Sequence, residues 1–265
     1  MDPLKPRPLA ASPPDGKHPR DRWITVYGRK PVLEALRDPS LSIDKLLVAR
    51  SAKGDVIHDI LRAAKKRRIT VRRADEREIT RISKNARQDQ GVVADVEAPA
   101  MDALEDWLPR APTVAHLLAL DGVTTPGNVG LCIRSAAAAG LEGIVLPRSG
   151  NSGLGPLVLK ASAGTAFKAP ILRCADLPPA LDALKAAGFS VIVLAGGGDG
   201  MLFDLPLPAR AVFVLGAEST GVSDATLRRA DRRVRIPMAE GIESLNVACA
   251  ATLVAFEVVR GRAER

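Results

Sequence analysis

Three short stretches of the 265-residue chain carry polar side chains in otherwise apolar surroundings. The first is Leu120-Asp-Gly-Val-Thr-Thr-Pro-Gly-Asn-Val-Gly-Leu-Cys-Ile-Arg-Ser135, where a Pro-Gly-Asn turn opens a helix. Between Gly122 and Leu146 the only charged residues are Arg134 and Glu142. A guanidinium cannot shed its charge, so an arginine in an apolar helix calls for an anion, from the protein or from a ligand. The second stretch, Ala217-Glu-Ser-Thr-Gly221, follows the apolar run Ala211-Val-Phe-Val-Leu-Gly216 and puts Glu218 just beyond a strand. The third, Pro237-Met-Ala-Glu-Gly-Ile-Glu-Ser-Leu-Asn246, precedes an apolar run interrupted only by Thr252. Asn is a poor helix former, so Asn246, read as one turn inside the last helix, needs a polar partner.

Each residue also has a plain structural reading. Asn128 suits a helix N-cap, Ser244 suits the cap of the final helix, and Glu218 suits a solvated carboxylate. Arg134 is the hardest to absorb this way, because a buried ion pair costs desolvation.

The elements that must position these groups follow from the apolar pattern. Runs at residues 114–120, 143–146, 191–195, 211–216 and 234–236 read as strands, with helices beginning near Asn128, Pro156, Leu177, Ser223 and Ser244. Apolar strands alternating with helices predict a mostly parallel sheet covered on both faces. Ligands in such sheets gather beyond the carboxyl ends of the strands, where all three stretches fall. Upstream, helices at 31–36, 56–66 and 76–82 alternate with strands at 45–48, 69–72 and 91–96, a small α/β module. The expected organisation is a disordered Pro-rich tail at 1–21, a first domain at 22–98, a Pro-punctuated linker at 99–112 and a second domain at 113–265.

Charge is divided unevenly. Residues 1–98 hold 22 Lys+Arg against 14 Asp+Glu, which is +8; residues 99–265 hold 16 of each, so the whole basic excess is N-terminal. That asymmetry points to a polyanion bound by the first module. Aromatic residues are only 3%, which disfavours multi-base stacking of the RRM or OB type. Three isolated cysteines, Cys132, Cys174 and Cys249, imply neither a disulfide nor zinc. Without a signal-peptide core or an apolar run of about 20 residues, a cytoplasmic protein is expected. No GxxxxGK[ST] occurs, and Met201 stands where a GxGxxG would need glycine, so a dinucleotide-dependent oxidoreductase is disfavoured.

Taken together and in order, Thr125-Pro-Gly-Asn-Val-Gly-Leu-Cys-Ile-Arg-Ser135, Leu215-Gly-Ala-Glu-Ser-Thr-Gly221 and Ile236-Pro-Met-Ala-Glu-Gly-Ile-Glu-Ser-Leu-Asn-Val247 resemble the three motifs of the SpoU (TrmH-like) family of RNA ribose 2′-O-methyltransferases. The first module resembles that family's ribosomal-protein-like substrate-binding domain through Tyr27-Gly-Arg-Lys-Pro-Val-Leu-Glu-Ala-Leu36 and Gln90-Gly-Val-Val-Ala94. The resemblance implies an α/β methyltransferase domain with a C-terminal trefoil knot, S-adenosyl-L-methionine as cofactor, and a homodimer with composite active sites; no metal is expected. It implies a catalytic set of Asn128, Arg134, Glu218, Ser244 and Asn246, and cofactor contacts at Gly216, Ile236, Met238 and Leu245. The chain departs from the pattern at Thr125-Pro-Gly-Asn128, where many members have Asp-Pro-His-Asn, and at Ser219-Thr220, where glycines are common.

The expected chemistry is methyl transfer to a ribose 2′-hydroxyl. A normal guanidinium is too weak an acid to act as the base, so Arg134 is expected to bind phosphate and stabilise the developing alkoxide, oriented by Glu218 and Asn128. Candidate phosphate contacts are Arg29, Lys30, Lys65, Lys66, Arg67 and Arg68. Large-subunit ribosomal RNA is the expected substrate; the alternatives are tRNA, or a non-catalytic RNA-binding assembly factor on the same fold.

Overall fold

The computed structural model describes residues 22–263, so the expected disordered tail at 1–21 lies outside the described residues. The first domain comprises β1 (Trp23–Tyr27), α1 (Arg29–Arg37), β2 (Ile43–Ala49), α2 (Asp55–Lys66), β3 (Val71–Ala74), α3 (Glu76–Ser83) and β4 (Val92–Glu97). Its sheet runs β1-β4-β2-β3, with β4 antiparallel to both neighbours and β2 parallel to β3. Val32, Leu33, Ala35 and Leu36 of α1 and Ile57, Ile60 and Ala64 of α2 are buried, the stripe that helical periodicity predicts. The turn between α2 and β3 is fastened by Arg67, whose guanidinium donates to the carbonyls of Ala35, Leu36, Asp38 and Leu41. It thereby satisfies the open C-terminal carbonyls of α1.

The second domain comprises β5 (Asp102–Ala103), α4 (Leu104–Trp107), β6 (Ala115–Asp121), α5 (Pro126–Ala138), β7 (Gly143–Pro147), α6 (Pro156–Ala161), β8 (Ile171–Cys174), α7 (Leu177–Ala186), β9 (Ser190–Leu194), β10 (Gly200–Met201), β11 (Arg210–Gly216), α8 (Asp224–Leu227), β12 (Arg232–Arg235) and α9 (Val247–Ala263). Eight strands pair in the order β10-β12-β9-β11-β6-β7-β8-β5, every pairing parallel. Leu118 and Leu120 of β6 face the helices α5 and α9, whereas Leu117 and Ala119 face α7, so both faces are covered.

Two expectations are revised. The segment 99–112 is not a free linker: β5 pairs with β8 at the edge of the large sheet, and Met101, Asp102, Ala103 and Leu104 are buried. A two-residue strand has no periodicity to read. The last helix begins at Val247, so Ser244 and Asn246 precede it. Its far end is pinned where Arg262 donates to His116 Nδ1 (2.9 Å), to the Gly140 carbonyl (3.1 Å) and to Glu142. That holds the C-terminal end of α9 against the β6–β7 side of the sheet.

Candidate active site and cofactor cavity

β6 and β11 are adjacent and in register, Gly216 beside Asp121, so their C-terminal loops emerge side by side. Gly216 could be no other residue: a Cβ there would stand 2.1 Å from the Gly221 carbonyl carbon. The second loop folds back this tightly through paired backbone hydrogen bonds between Ala217 and Gly221. On the first loop the helix cap is Thr125, so Asn128 is not a cap but lies in the first turn of α5, 9% exposed. Gly130 lets α5 press onto α6, since a Cβ would meet Ala161 and Val158 at 2.6 Å.

Asn246 gathers the three loops. Its Nδ2 donates to Asn128 Oδ1 at 3.2 Å and to Glu218 Oε1, and its Oδ1 accepts from the Ala248 backbone at 2.9 Å. The residue read as a helix-interior misfit is therefore the N-cap of α9, and its partners are the polar groups of the other two motifs. Ser244 is exposed and lines a cavity beside them.

Arg134 stands apart. It is exposed, and its guanidinium has no hydrogen bond or ion pair among the described residues. Six residues along a helix is a turn of about 240° from Asn128, so the two side chains leave α5 on different sides. Within one chain, neither Glu218 nor Asn128 hydrogen-bonds to Arg134. Beside Arg134 on that outer face lie Leu131 (43% exposed) and Ala138, and on the neighbouring α9 the exposed stripe is Cys249, Leu253 and Phe256.

Sequence reasoning missed two side chains that hold these loops. Asp121 Oδ2 accepts from the Ser223 backbone at 2.8 Å, joining the first loop to the second. Asn151, in the loop after β7, accepts from the Val123 backbone at 2.7 Å and donates to the Leu120 carbonyl at 3.1 Å. Asp121 ends β6 and Asn151 sits in a turn-rich loop, both places where Asp and Asn are ordinary, so no local signal marks them.

The cavity beside Ser244 has a volume of about 580 Å³. Leu194, Met201, Ile236, Ile242, Leu245 and Ala250 give it apolar walls, with Met238, Arg235 and Glu243 at its margin. Three of the four expected cofactor residues line it; Gly216 does not, and acts through the tight turn. Apolar walls for a purine, with one cation and one anion to meet a zwitterionic amino acid, fit S-adenosylmethionine. Cys132, behind the site, is no nucleophile: burial pushes its thiol up to about 12. Among the described residues no cluster of His, Cys, Asp and Glu could hold a metal ion, and no helix is long and apolar enough to cross a membrane.

The candidate phosphate contacts divide into two groups. Arg29 Nη1 donates to the Lys53 carbonyl and its Nε to the Gln90 carbonyl, with Lys30 exposed beside it. Lys65, Lys66 and Arg68 are exposed at the other end of α2, about 18 Å away along a 12-residue helix. Arg67 is spent on the α1 carbonyls, so its place in the basic cluster is corrected.

A parallel sheet with three polar loops converging on one side chain, beside an apolar cavity with charged margins, defines a cofactor-dependent α/β transferase. Residues 115–256 match the SpoU rRNA methylase family, and residues 25–101 match the RNA 2′-O ribose methyltransferase substrate-binding domain. The chain is 34% identical over 244 residues to the 23S rRNA (guanosine-2′-O-)-methyltransferase RlmB of Pseudomonas aeruginosa, covering 91% of this chain and 98% of that protein. Among solved structures it is similar to the SpoU methyltransferase AviRb from Streptomyces viridochromogenes in complex with AdoMet (27% identity, 93% of each chain, TM-score 0.62). It is also similar to an AdoMet-bound rRNA methyltransferase from Sinorhizobium meliloti (27% identity, 91% and 88% covered, TM-score 0.62). The chain belongs to the SpoU family of S-adenosylmethionine-dependent RNA ribose 2′-O-methyltransferases.

Proposed function

We propose that this enzyme methylates the 2′-hydroxyl of a guanosine in 23S ribosomal RNA, as a cytoplasmic homodimer. The observation that carries the catalytic reading is the convergence of Asn128, Glu218 and Asn246 on one point beside the apolar cavity. The substrate assignment rests on the names of the relatives, which this chain matches over 98% of their length.

The cofactor supplies an electrophilic methyl group when bound. Ile236, Met238, Leu245 and Ser244 would hold it, with Gly216 shaping the loop above. Asn246 fixes Glu218 and Asn128 in one arrangement, so the acceptor ribose meets preorganised groups. Alignment of the hydroxyl and stabilisation of the oxygen as its proton leaves are their work.

Arg134 serves a composite site. Its guanidinium has no partner among the described residues of its own chain, and it projects from a face that Leu131, Leu253 and Phe256 make apolar. Docking two copies through α5 and α9 covers that face and brings Arg134 to the partner's loops, where it binds the phosphate beside the reacting ribose. The same reading threads the C-terminal segment as a trefoil knot. In that reading α9 seats against the 203–207 segment, where Arg260 donates to the Phe203 carbonyl at 3.1 Å and a Cβ on Gly261 would lie 3.1 Å from Leu207. Lys30, Lys65, Lys66 and Arg68, with Arg29 in part, provide the electrostatic contact to RNA.

The test is incubation with unmodified rRNA and tRNA and labelled S-adenosylmethionine, followed by mapping of alkali-resistant positions. Label confined to a guanosine of 23S rRNA is the expected result; label in tRNA, or none, overturns it.

A further inference from the structure

Between the two domains runs a groove that none of the three motifs accounts for. Its inner part is a cavity of about 330 Å³, bounded by Thr25, Tyr27 and Ser83 on one side and by the 152–158 segment on the other. It reaches Pro126, two residues before Asn128, and shares no residue with the cofactor cavity. Its outer part, about 530 Å³, shares Thr25, Ile82 and Leu154 with the inner, so the two are continuous.

The chemistry of the two parts differs. In the outer part Lys45, Arg81 and Lys84 face Asp44 and Asp95. Asp95 is already engaged by Thr25 (2.7 Å) and Lys45 (3.9 Å), whereas the exposed side chains of Arg81 and Lys84 have no hydrogen bond or ion pair among the described residues. The free charge of this stretch is therefore mainly positive. The inner part is amphipathic. Tyr27, the only tyrosine in the chain, lines it half-buried, with no hydrogen bond to its hydroxyl among the described residues. Leu157, 57% exposed, lies on the opposite wall. Gly155 keeps the slot open: a Cβ there would lie 3.5 Å from the Tyr27 hydroxyl, so any longer side chain would grow into the space.

An aromatic and an aliphatic wall with one free hydroxyl suit a splayed nucleobase, and a cationic path suits the phosphates that follow it. We propose that the groove is the track of the RNA strand: the inner slot takes the base of a nucleotide adjacent to the methylated one, against Tyr27 and Leu157, and Arg81 and Lys84 hold the phosphates leading away. This rests on the RNA-methylation reading and deepens it: Leu157, Arg81 and Lys84 belong to none of the motifs or basic residues named above, and Tyr27 entered only as the first residue of a family resemblance, with no role. A low aromatic content disfavours a multi-base stacking platform but not one ring placed at one slot.

The test compares the full-length protein with Gly155→Leu, which plugs the slot without changing charge, and with Arg81→Glu/Lys84→Glu, two exposed positions whose reversal leaves the core intact. Methyl transfer to in vitro transcribed 23S rRNA gives the RNA KM, and fluorescence anisotropy with a short single-stranded RNA gives direct affinity. The charge reversal should raise KM by roughly 10- to 100-fold and flatten its dependence on salt. Gly155→Leu should raise it by roughly 5- to 50-fold at unchanged salt slope. S-adenosylmethionine affinity should be unchanged in both. Methyl transfer with unmoved RNA KM and affinity in both variants overturns the groove. Wild-type protein whose RNA affinity responds to these substitutions but which transfers no methyl overturns the methylation reading and leaves the groove standing.

Discussion

Asn246 and Asn128 meet side chain to side chain at 3.2 Å across 118 positions of sequence, and the same amide group reaches Glu218. One donor thus serves two acceptors, while its own oxygen caps α9. Asn246→Asp keeps the cap but replaces the donor with a carboxylate facing Glu218. We expect kcat to fall by roughly 100- to 1,000-fold, the loss seen when one preorganised donor is removed. Asn246→Ala loses the cap as well, at about 1 kcal/mol. Single-turnover rates should therefore collapse in both variants, while thermal melts fall more in the alanine variant. Wild-type turnover in Asn246→Asp would remove this residue from the active site.

The separation of Arg134 from Asn128 around α5 makes a prediction that a single-chain site does not. Arg134→Ala and Asn246→Asp should each be inactive as pure homodimers. Co-refolded in equal amounts, they should regain about a quarter of wild-type activity, because half the molecules are mixed dimers and each of those keeps one intact composite site. No recovery in the mixture would place Arg134 with the loops of its own chain or outside the chemistry.

Leu253 and Phe256 are 36% and 50% exposed on the same stripe as the exposed Cys249. A glutamate at Phe256 would bury a charge in the proposed interface, so sedimentation should show Phe256→Glu as a monomer at micromolar concentration. A thiol reagent should label Cys249 rapidly in that variant and slowly in the wild type. A dimeric Phe256→Glu with unchanged labelling would move the interface elsewhere.

How far the sequence could be read depended on what each feature looks like locally. The apolar runs of β6, β7, β9 and β11 are continuous because parallel strands are buried on both faces, and they stood out. β1 alternates between buried and half-buried residues, and β5 and β10 have two residues each, too little pattern to register. Ile236, Met238 and Leu245, which line the proposed cofactor cavity, lie in a motif that stands out in the sequence, whereas Leu194 and Met201 enter the same cavity from β9 and β10 as ordinary apolar residues. The misplacement of Asn246 was one of helix boundary, as apolar periodicity does not say where a cap lies. The isolation of Arg134 from Asn128 was present in the six-residue spacing. What the spacing lacked was the neighbouring stripe of α9, which only packing supplies.

The buried thiols predict how stability responds to alkali. Burial pushes Cys132 up to about 12 and Cys174 to about 11, from an ordinary 9.0. Below pH 9 both states keep these protons, so the full stability is present. Between pH 9 and the folded values the unfolded chain releases them and the native chain does not, and stability falls by about 1.4 kcal/mol per pH unit for each thiol. Urea unfolding of wild type and Cys132→Ala should therefore run parallel below pH 9 and then converge as pH rises, the wild type losing stability faster. Curves that stay parallel to pH 11 would show that Cys132 is reached by solvent in the native state.

Asn151 offers the sharpest test of how the first catalytic loop is held. It hydrogen-bonds to none of Asn128, Glu218 or Asn246, yet its carboxamide satisfies one donor and one acceptor of the backbone leading to α5, and the Ser152 backbone donates to the Val123 carbonyl at 2.9 Å. Asn151→Ala leaves those groups partly buried without partners, costing about 1–3 kcal/mol of local stability. The loop then samples other arrangements, so the preorganisation of Asn128 is lost while the cofactor cavity, built from the other loops, is not. The expected signature is a kcat reduced roughly tenfold to a hundredfold with S-adenosylmethionine affinity unchanged. Asn151→Asp retains the acceptor for the Val123 N–H, loses the donor to Leu120, and should fall between the two. An aspartate variant as impaired as alanine would mean that the bond to the Leu120 carbonyl alone holds the loop.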